Sequence, residues 1–192
     1  MIEINFMDSF NGSNSRIVEI QKVLKEIKKE SWKKQITEIR NHIYNGDSKK
    51  ADYIKKTLPA FTVSATYKEN RKKENIESYT NLLHLDYDKL DNVKEVKAKI
   101  ISIPNTYAAF ISPSGNGIKV LVKSNNNETT HLYAFNALKE YYDEIIGIGS
   151  DKSVKDVLRL CFVSSDPDLY LNEDAEVFMT QSYPNNEPKS QK

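Results

Sequence analysis

The sequence predicts an α+β fold with a mixed or largely antiparallel sheet, flanking helices and a helical N-terminal region. Two observations lead to this class. Apolar residues recur at helical spacing in the first third of the chain, and at alternate positions in several later segments, as in strands. The predicted strands and helices also follow one another without the regular alternation that a parallel βαβ sheet requires.

The N-terminal third is predicted to contain one strand and three helices. Apolar side chains alternate over residues 2–6, and the polar residues 11–14 indicate a turn. Apolar residues then recur every three or four positions in three successive segments, which form a helical subregion over about residues 15–57. The predicted helices cover residues 17–27, 32–43 and 48–57, the last ending before Pro59.

The remainder of the chain is dominated by strands. A charged connection is expected over residues 68–77, and helices over 92–102 and 129–145. The predicted strands cover residues 61–65, 82–87, 106–111, 117–123, 157–164 and 176–180. Residues 1–180 are expected to form a single domain, and the polar residues 181–192, which include two prolines, a tail or linker.

Composition excludes several classes of protein. No apolar run approaches the roughly 20 residues that span a bilayer, and residues 1–10 do not have the pattern of a secretory signal. The single cysteine, Cys161, excludes a disulfide framework and a zinc site built on paired cysteines. A net charge of +1 does not indicate a nucleic-acid binder by bulk charge. We therefore expect a cytoplasmic protein, not bound to a membrane, whose function depends on a local site.

The first candidate site is the acidic pair in the predicted strand 82–87 and just after it. Because alternate side chains of a strand share a face, His84, Asp86 and Asp88 are expected to point in one direction. Two carboxylates about 7 Å apart repel each other unless water or a cation lies between them. A hard divalent cation such as Mg²⁺ suits these ligands. The alternative interpretation is an acidic turn at the end of a strand.

The second candidate site is the turn between two predicted strands, residues 112–119 (SPSGNGIK). Its glycines allow successive backbone N–H groups to face an anion, its serines add hydroxyl donors, and a lysine begins the next strand. This chemistry suits a triphosphate, although an ordinary hairpin turn has a similar composition. The candidate nucleotide-binding residues here are Ser112, Ser114, Gly115, Gly117 and Lys119.

The third candidate site contains Asp151 and Arg159. Asp151 supplies a third carboxylate for metal ions or caps a short helix, and Arg159 binds phosphate or pairs with a nearby aspartate. His84 either contacts the carboxylates without touching the ligand itself, or is a half-buried imidazole of the core. Cys161 is expected to be an unreactive core residue. Taken together, the three sites provide what metal-dependent nucleotidyl transfer requires.

In this order the three sites resemble the motifs of the primase–polymerase domain of the archaeo-eukaryotic primase superfamily. The closer resemblance is to the VirE N-terminal domain family of mobile-element and phage replication proteins, and it extends over about residues 1–180. It is carried by residues 58–62 (LPAFT), 85–88 (LDYD), 112–115 (SPSG), 117–119 (GIK), Arg159 and 162–167 (FVSSDP).

The resemblance implies an RRM-like sheet core and a nucleoside triphosphate bound over the sheet. It implies that Asp86, Asp88 and Asp151 are catalytic and hold Mg²⁺ or Mn²⁺. Its implied partners are single-stranded or primer-template DNA and a helicase domain or protein, whether the domain is part of a longer chain or independent. Lys119 stands where the superfamily has a histidine, and a lysine cannot act as both hydrogen-bond donor and acceptor as a neutral imidazole does.

Two alternatives remain open at the level of sequence. The domain could bind single-stranded DNA without catalysis, with Arg71, Lys72 and Lys73 contacting phosphates or merely lying in a solvated loop. It could instead serve assembly, with the helical subregion and an exposed Trp32 packing against a helicase partner.

Overall fold

The structure is a computed structural model that describes residues 1–12 and 14–180. Ten strands and five α-helices occur within these residues. The strands are β1 (Glu3–Met7), β2 (Arg16–Glu19), β3 (Ala60–Thr62), β4 (Ala65–Tyr67), β5 (Ile76–Tyr79), β6 (Leu82–Tyr87), β7 (Thr106–Ile111), β8 (Ile118–Lys123), β9 (Leu160–Phe162) and β10 (Tyr170–Leu171). The helices are α1 (Ile20–Lys28), α2 (Lys33–Tyr44), α3 (Ser48–Lys55), α4 (Val93–Ile101) and α5 (His131–Ile146). The predicted α+β class is confirmed.

The first sheet has the strand order β2-β1-β3-β9, with every neighbouring pair antiparallel. Strand β9 lies at one edge and pairs with β3 through Phe61, which is opposite Cys161. One face of this sheet packs against α1, α2 and α3, whose apolar sides enter the same core. Burial of these apolar stripes is what stabilises such short helices, because isolated helices of this length are marginal in water.

The second sheet has the order β10-β7-β8-β6 and is also antiparallel. The order β6-α4-β7-β8-α5 along the chain is the β-α-β-β-α run with which an RRM-like unit begins. Leu83 and Leu85 of β6 pack on the side of α4 and α5. Leu82 of β6 and Leu121 of β8 face the core of the first sheet. The second sheet is therefore covered on both faces, and polar side chains on its inner face lie between the two sheets.

A segment that follows β9 connects the two sheets. The buried carboxylate of Asp166 accepts hydrogen bonds from Lys97 Nζ at 2.6 Å and from the backbone N–H of Ile111 at 2.8 Å. The Ser164 hydroxyl donates to the backbone oxygen of Ile111 at 2.6 Å. These bonds hold the end of the first sheet against α4 and β7.

Strands β4 and β5 form a separate two-stranded sheet beside the first. The buried side chain of Asn5 links the two, because its Oδ1 accepts from the backbone N–H of Tyr67 at 2.8 Å and its Nδ2 donates to the Tyr67 oxygen at 3.1 Å. The side-chain amide thus replaces a strand partner that β4 lacks at this position.

Several predicted boundaries were wrong. Residues 16–19 are a strand, because they pair with β1, and the first helix begins only at Ile20. The predicted strand 61–65 is divided between β3 and β4, which belong to different sheets, and the charged connection 68–77 includes the start of β5. The predicted strand 157–164 shortens to β9, and around 176–180 only an isolated bridge pairs Phe178 with Ser124. The predicted tail 181–192 lies outside the described residues.

Across residues 1–12 and 14–180, the structure contains no helix with both the length and the apolar character required to cross a bilayer.

Candidate functional site

Three aspartates that are far apart in the chain converge at the end of β6. One carboxylate oxygen of each of Asp86, Asp88 and Asp151 lies within 4.8 Å of the corresponding atoms of the other two. Asp86 is buried on β6, Asp88 is exposed just beyond the strand, and Asp151 is half-buried. The backbone N–H of Asp151 donates to the backbone oxygen of Asp86 at 2.7 Å, and this bond holds the third carboxylate beside the pair.

Asp86 forms a buried ion pair with Lys119. The two residues are opposite each other on β6 and β8, and they are 7% and 6% exposed. Lys119 Nζ donates to Asp86 Oδ2, whereas Asp86 Oδ1 has no hydrogen-bond partner among the described residues. Burial raises the pKa of Asp86, an effect that Lys119 opposes and the charge of Asp88 reinforces. For Lys119, burial is the largest single influence and acts to lower the pKa, but the charge and hydrogen bond of Asp86, together with the charges of Cys161 and Asp88, outweigh it and the pKa is raised.

His84 lies on the same face of β6 as Asp86, as the alternation predicted, and is buried. Neither ring nitrogen has a partner among the described residues. Burial, together with the positive charges of Lys119 and Arg159, holds the pKa of His84 well below its usual value, so the imidazole is neutral. Among the described residues His84 forms no hydrogen bond to a carboxylate of the cluster, and its imidazole is buried rather than half-buried.

Asp151 begins a short 3₁₀ helix, Lys152–Lys155, and caps it. Its carboxylate accepts from the backbone N–H of Ser153 at 2.8 Å and from the Ser153 hydroxyl at 2.6 Å. Burial acts to raise its pKa, but the Ser153 bonds and the charges of Arg159 and Lys119 lower it overall, so the carboxylate stays ionised. Arg159 is exposed, and its Nη2 donates to the Ser153 hydroxyl at 3.2 Å. The capping role and a place in the acidic cluster are therefore compatible.

The turn between β7 and β8 lies against the acidic pair. A Cβ atom at Gly117 would be 2.5 Å from the backbone oxygen of Tyr87 and 2.9 Å from Asp88 Oδ1, so only glycine allows this approach. Gly115 has φ +83°, in the left-handed region that glycine tolerates. The hydroxyls of Ser112 and Ser114 are 2.8 Å apart. The structure thus brings the predicted turn to the predicted acidic residues.

Three further residues belong to the surroundings of the site. The charge of Lys55, at the end of α3, acts on both Asp86 and Cys161. Cys161 on β9 is fully buried, which raises its pKa to about 12. Arg40 of α2 donates to the backbone oxygens of Ser112 and Ser165, both at 3.2 Å, and so supports the turn. The sequence does not indicate Lys55 or Arg40 as site residues, because each lies on a helix whose charged side chains are expected to face solvent. Only the tertiary fold brings them to the site.

Comparisons with known proteins give two matches. The model of a family described as BT4734-like, N-terminal domain, matches residues 53–171. Among solved structures, the chain is similar to the AEP domain of the primase–polymerase of cyanophage S-2L, with a TM-score of 0.49 and 10% sequence identity. That alignment covers 97% of this chain and 90% of the phage domain. No curated protein matches the sequence.

Proposed function

The chain belongs to the family of BT4734-like N-terminal domains, and from this premise we propose that it is a metal-dependent nucleotidyl-transfer domain of the primase–polymerase type. The range that the family model matches includes the three aspartates and the turn between β7 and β8. The observation that carries the proposal is the convergence of the three carboxylates beside a glycine- and serine-rich turn.

The residues present fit a hard divalent cation. All three donors are carboxylates, the ligand class that Mg²⁺ and Mn²⁺ prefer, and their oxygen atoms are close enough to share one ion. Asp86 Oδ1 is a buried acceptor with no partner within residues 1–12 and 14–180, which is costly unless a cation or a proton donor satisfies it. Asp86, Asp88 and Asp151 would hold the ion. A bound cation of this kind neutralises charge on a phosphoryl group during transfer.

The remaining side chains bind and orient the nucleotide in this proposal. Lys119 fixes the orientation of the Asp86 carboxylate through its ammonium group. Ser112 and Ser114 are hydrogen-bonded to each other, which leaves one hydroxyl proton free to be donated to a phosphate oxygen, and the close approach of Gly117 brings that oxygen near Asp88. Arg159 adds a positive charge at the exposed side of the cluster, from which a triphosphate can enter the site.

The Lys119–Asp86 ion pair favours a second candidate function. An ammonium group that already neutralises Asp86 weakens the attraction of the cluster for a metal ion, because the negative charge of the site is reduced by one unit. The domain would then bind single-stranded DNA without catalysis. The two candidates make different predictions for the same titration.

The test is calorimetric titration of Mn²⁺, with and without a nucleoside triphosphate, into the wild type and into Asp88→Asn. Asp88 is exposed, so this substitution removes a ligand without leaving an unpaired buried charge. We expect the wild type to bind nucleotide only with metal, and the variant to bind at least about tenfold more weakly, the equivalent of 1.4 kcal/mol.

The matched control is Asp174→Asn, which neutralises an exposed aspartate outside the cluster and should bind like the wild type. Equal metal-dependent binding by Asp88→Asn and the wild type would contradict the proposed metal site. A folded wild type that binds single-stranded DNA but neither metal nor nucleotide would establish the second candidate instead.

We further propose that the domain acts in DNA replication of a mobile element or phage, with a helicase as its partner, and that it falls within the VirE N-terminal group. The motif resemblance described above supports this extension. Residues 1–180 as one domain, with 181–192 as a polar tail or linker, are part of the same proposal.

A further inference from the structure

A small pocket of aromatic and cationic residues lies beside the acidic cluster, at the edge strand β9. It has a volume of about 150 Å³ and is lined by Phe10, Arg71, Arg159, Leu160 and Phe162. Arg159 belongs to both sites, because the same residue bonds to Ser153 next to Asp151. The pocket is thus linked to the proposed metal site through Arg159, but it contains none of the carboxylates of that site.

The aromatic part of the pocket is a preformed stack. The rings of Phe10 and Phe162 are inclined by 27°, with their centroids 4.9 Å apart, and both side chains remain half-buried rather than enclosed. Lys55 Nζ lies 5.2 Å from the Phe162 ring centroid. Flat apolar ring surface that stays accessible at a cationic site is suited to a nucleobase, since every base has a π-face to stack.

The cationic part of the pocket has positive charge available for a ligand. Arg71 donates to the backbone oxygen of Leu158 at 3.0 Å, which holds its guanidinium at the pocket. Within residues 1–12 and 14–180, neither Arg71 nor Arg159 forms an ion pair with a carboxylate. Two exposed guanidinium groups without carboxylate partners beside a ring stack suit the phosphates of a nucleotide chain.

The size of the pocket decides between a free nucleotide and a strand. Pockets that enclose a small-molecule ligand usually measure about 300–1,000 Å³. A space of about 150 Å³ accommodates one ring system and leaves the rest of the ligand outside. A polymer bound at several points fits this better than a nucleoside triphosphate held as a whole.

We propose that this pocket binds one nucleotide of a single-stranded DNA, with the base on the Phe10–Phe162 stack and its flanking phosphates on Arg71 and Arg159. The inference rests on the proposed function in one respect, because it identifies the strand as the DNA on which nucleotidyl transfer acts. It assigns to Phe10, Phe162 and Arg71 a role in contacting the strand.

The test measures the affinity of the full chain for a fluorescent oligothymidylate by anisotropy, in EDTA and over a series of salt concentrations. Without metal, the result does not depend on whether the three aspartates hold an ion. Phe10→Leu should bind roughly 5- to 150-fold more weakly, the loss expected for one base stack, and Phe10→Trp should retain binding. Tyr44→Leu, which removes an exposed aromatic ring on α2, is the matched control and should have no effect.

A second variant removes charge without changing the apolar packing. Arg71→Gln should reduce the slope of log affinity against log salt by about 0.7, the value for one phosphate contact on a single strand. The control is Arg16→Gln, because Arg16 is already paired with Asp8. If Phe10→Leu fails to fold, as judged by circular dichroism, the salt slope of Arg71→Gln decides alone.

Three results would overturn the proposal. The first is a wild type without salt-dependent binding. The second is binding by folded Phe10→Leu and Arg71→Gln that equals that of the wild type. The third is displacement of the strand by a free nucleotide at micromolar concentration, which would make the pocket a nucleotide site. A wild type that binds the strand but does not bind Mn²⁺ would refute only the nucleotidyl-transfer proposal.

Discussion

The ion pair between Lys119 and Asp86 is the feature of the site that most affects stability. Both side chains are buried, and each is the main compensation for the charge of the other. Buried ion pairs contribute little net stability compared with apolar pairs, but the loss of one partner leaves a buried charge uncompensated. Lys119 therefore has a structural role in this protein as well as a chemical one.

We expect Lys119→Met to lower the free energy of unfolding by about 3–5 kcal/mol, because Asp86 is left buried without a counter-charge. Urea unfolding measures the change. The double variant Lys119→Met/Asp86→Leu should recover most of this loss. Lys123→Met on the same strand is the control. Lys123 donates to the backbone oxygen of Glu173 and lies 5.3 Å from the Tyr107 ring centroid, but among the described residues it forms no ion pair, so its loss should cost under about 1 kcal/mol.

The same variant also tests the proposed metal site. With the ammonium group removed, a divalent cation has less competition for Asp86, so Mn²⁺ should raise the melting temperature of Lys119→Met more than that of the wild type. Equal stability of Lys119→Met and wild type would show that Asp86 is protonated or hydrated, and that the pair does not form.

At the scale of elements, the turn between β7 and β8 depends on a close backbone approach. Gly117 is the residue that allows Asp88 and the backbone of Tyr87 to lie against the turn. The serine hydroxyls that are proposed to bind phosphate are positioned by this contact. A change in the turn should therefore alter binding as well as stability.

We expect Gly117→Ala to lower the free energy of unfolding by about 1–3 kcal/mol, the usual cost of overpacking, and to weaken metal-dependent nucleotide binding. The added Cβ meets the backbone oxygen of Tyr87, which cannot rotate away. Gly149→Ala is the control, because the atom nearest its Cβ is at 3.9 Å, and it should change stability by no more than about 0.5 kcal/mol. Unaltered binding by a folded Gly117→Ala would remove the turn from the nucleotide site.

Sequence patterning predicts the long elements of this fold and misses the short ones, for a physical reason. Strands β6, β7 and β8 carry enough alternating or apolar residues to be identified locally, and α4 and α5 enough helical spacing. The spacing of Ile17 and Ile20, three residues apart, predicts that the first helix begins at Ile17. Residues 16–19 form strand β2 instead because they pair with β1, and local spacing does not reveal this pairing. Strand β10 has two residues and no periodicity to detect.

The candidate site follows the same division. Asp86, Asp88, Gly117 and Lys119 could be identified from local motifs, and the structure brings them together with Asp151. The sequence could not indicate that Lys119 contacts Asp86 rather than solvent, because that contact depends on the register of β6 and β8. Nor could it indicate that Phe10 lies against Phe162, 152 residues later.

At the scale of the whole molecule, Asp166 determines how the two sheets are held together. Its carboxylate accepts from Lys97 of α4 and from the backbone of β7, and its own backbone N–H donates to Ile27 at the end of α1, at 3.3 Å. Elements from both cores therefore meet at a residue that is 1% exposed. Asp86 of the acidic cluster lies on the inner face of the second sheet, where its charge acts on Cys161 of the first sheet, so this junction supports the site.

We expect Asp166→Ala to lower the free energy of unfolding by about 3–5 kcal/mol, because Lys97 loses its carboxylate and a buried N–H loses its acceptor. Asp174→Ala, at the surface, should change it by no more than about 0.5 kcal/mol. Hydrogen exchange should also become faster at β7 and β9 in Asp166→Ala. A loss as small as that of the control would mean that the other contacts suffice to join the sheets.

The position of Cys161 has a kinetic consequence. It carries the only thiol of the chain, fully buried on β9 and near Asp86 and Lys119, with a pKa raised to about 12. A disulfide reagent can react with this thiol only after the first sheet has moved away from the second and the thiolate can form. The rate at which Cys161 is labelled therefore measures how often the two sheets separate. Ligands that bridge the two sheets should lower this labelling rate, whereas ligands that bind only to the outer surface should leave it unchanged.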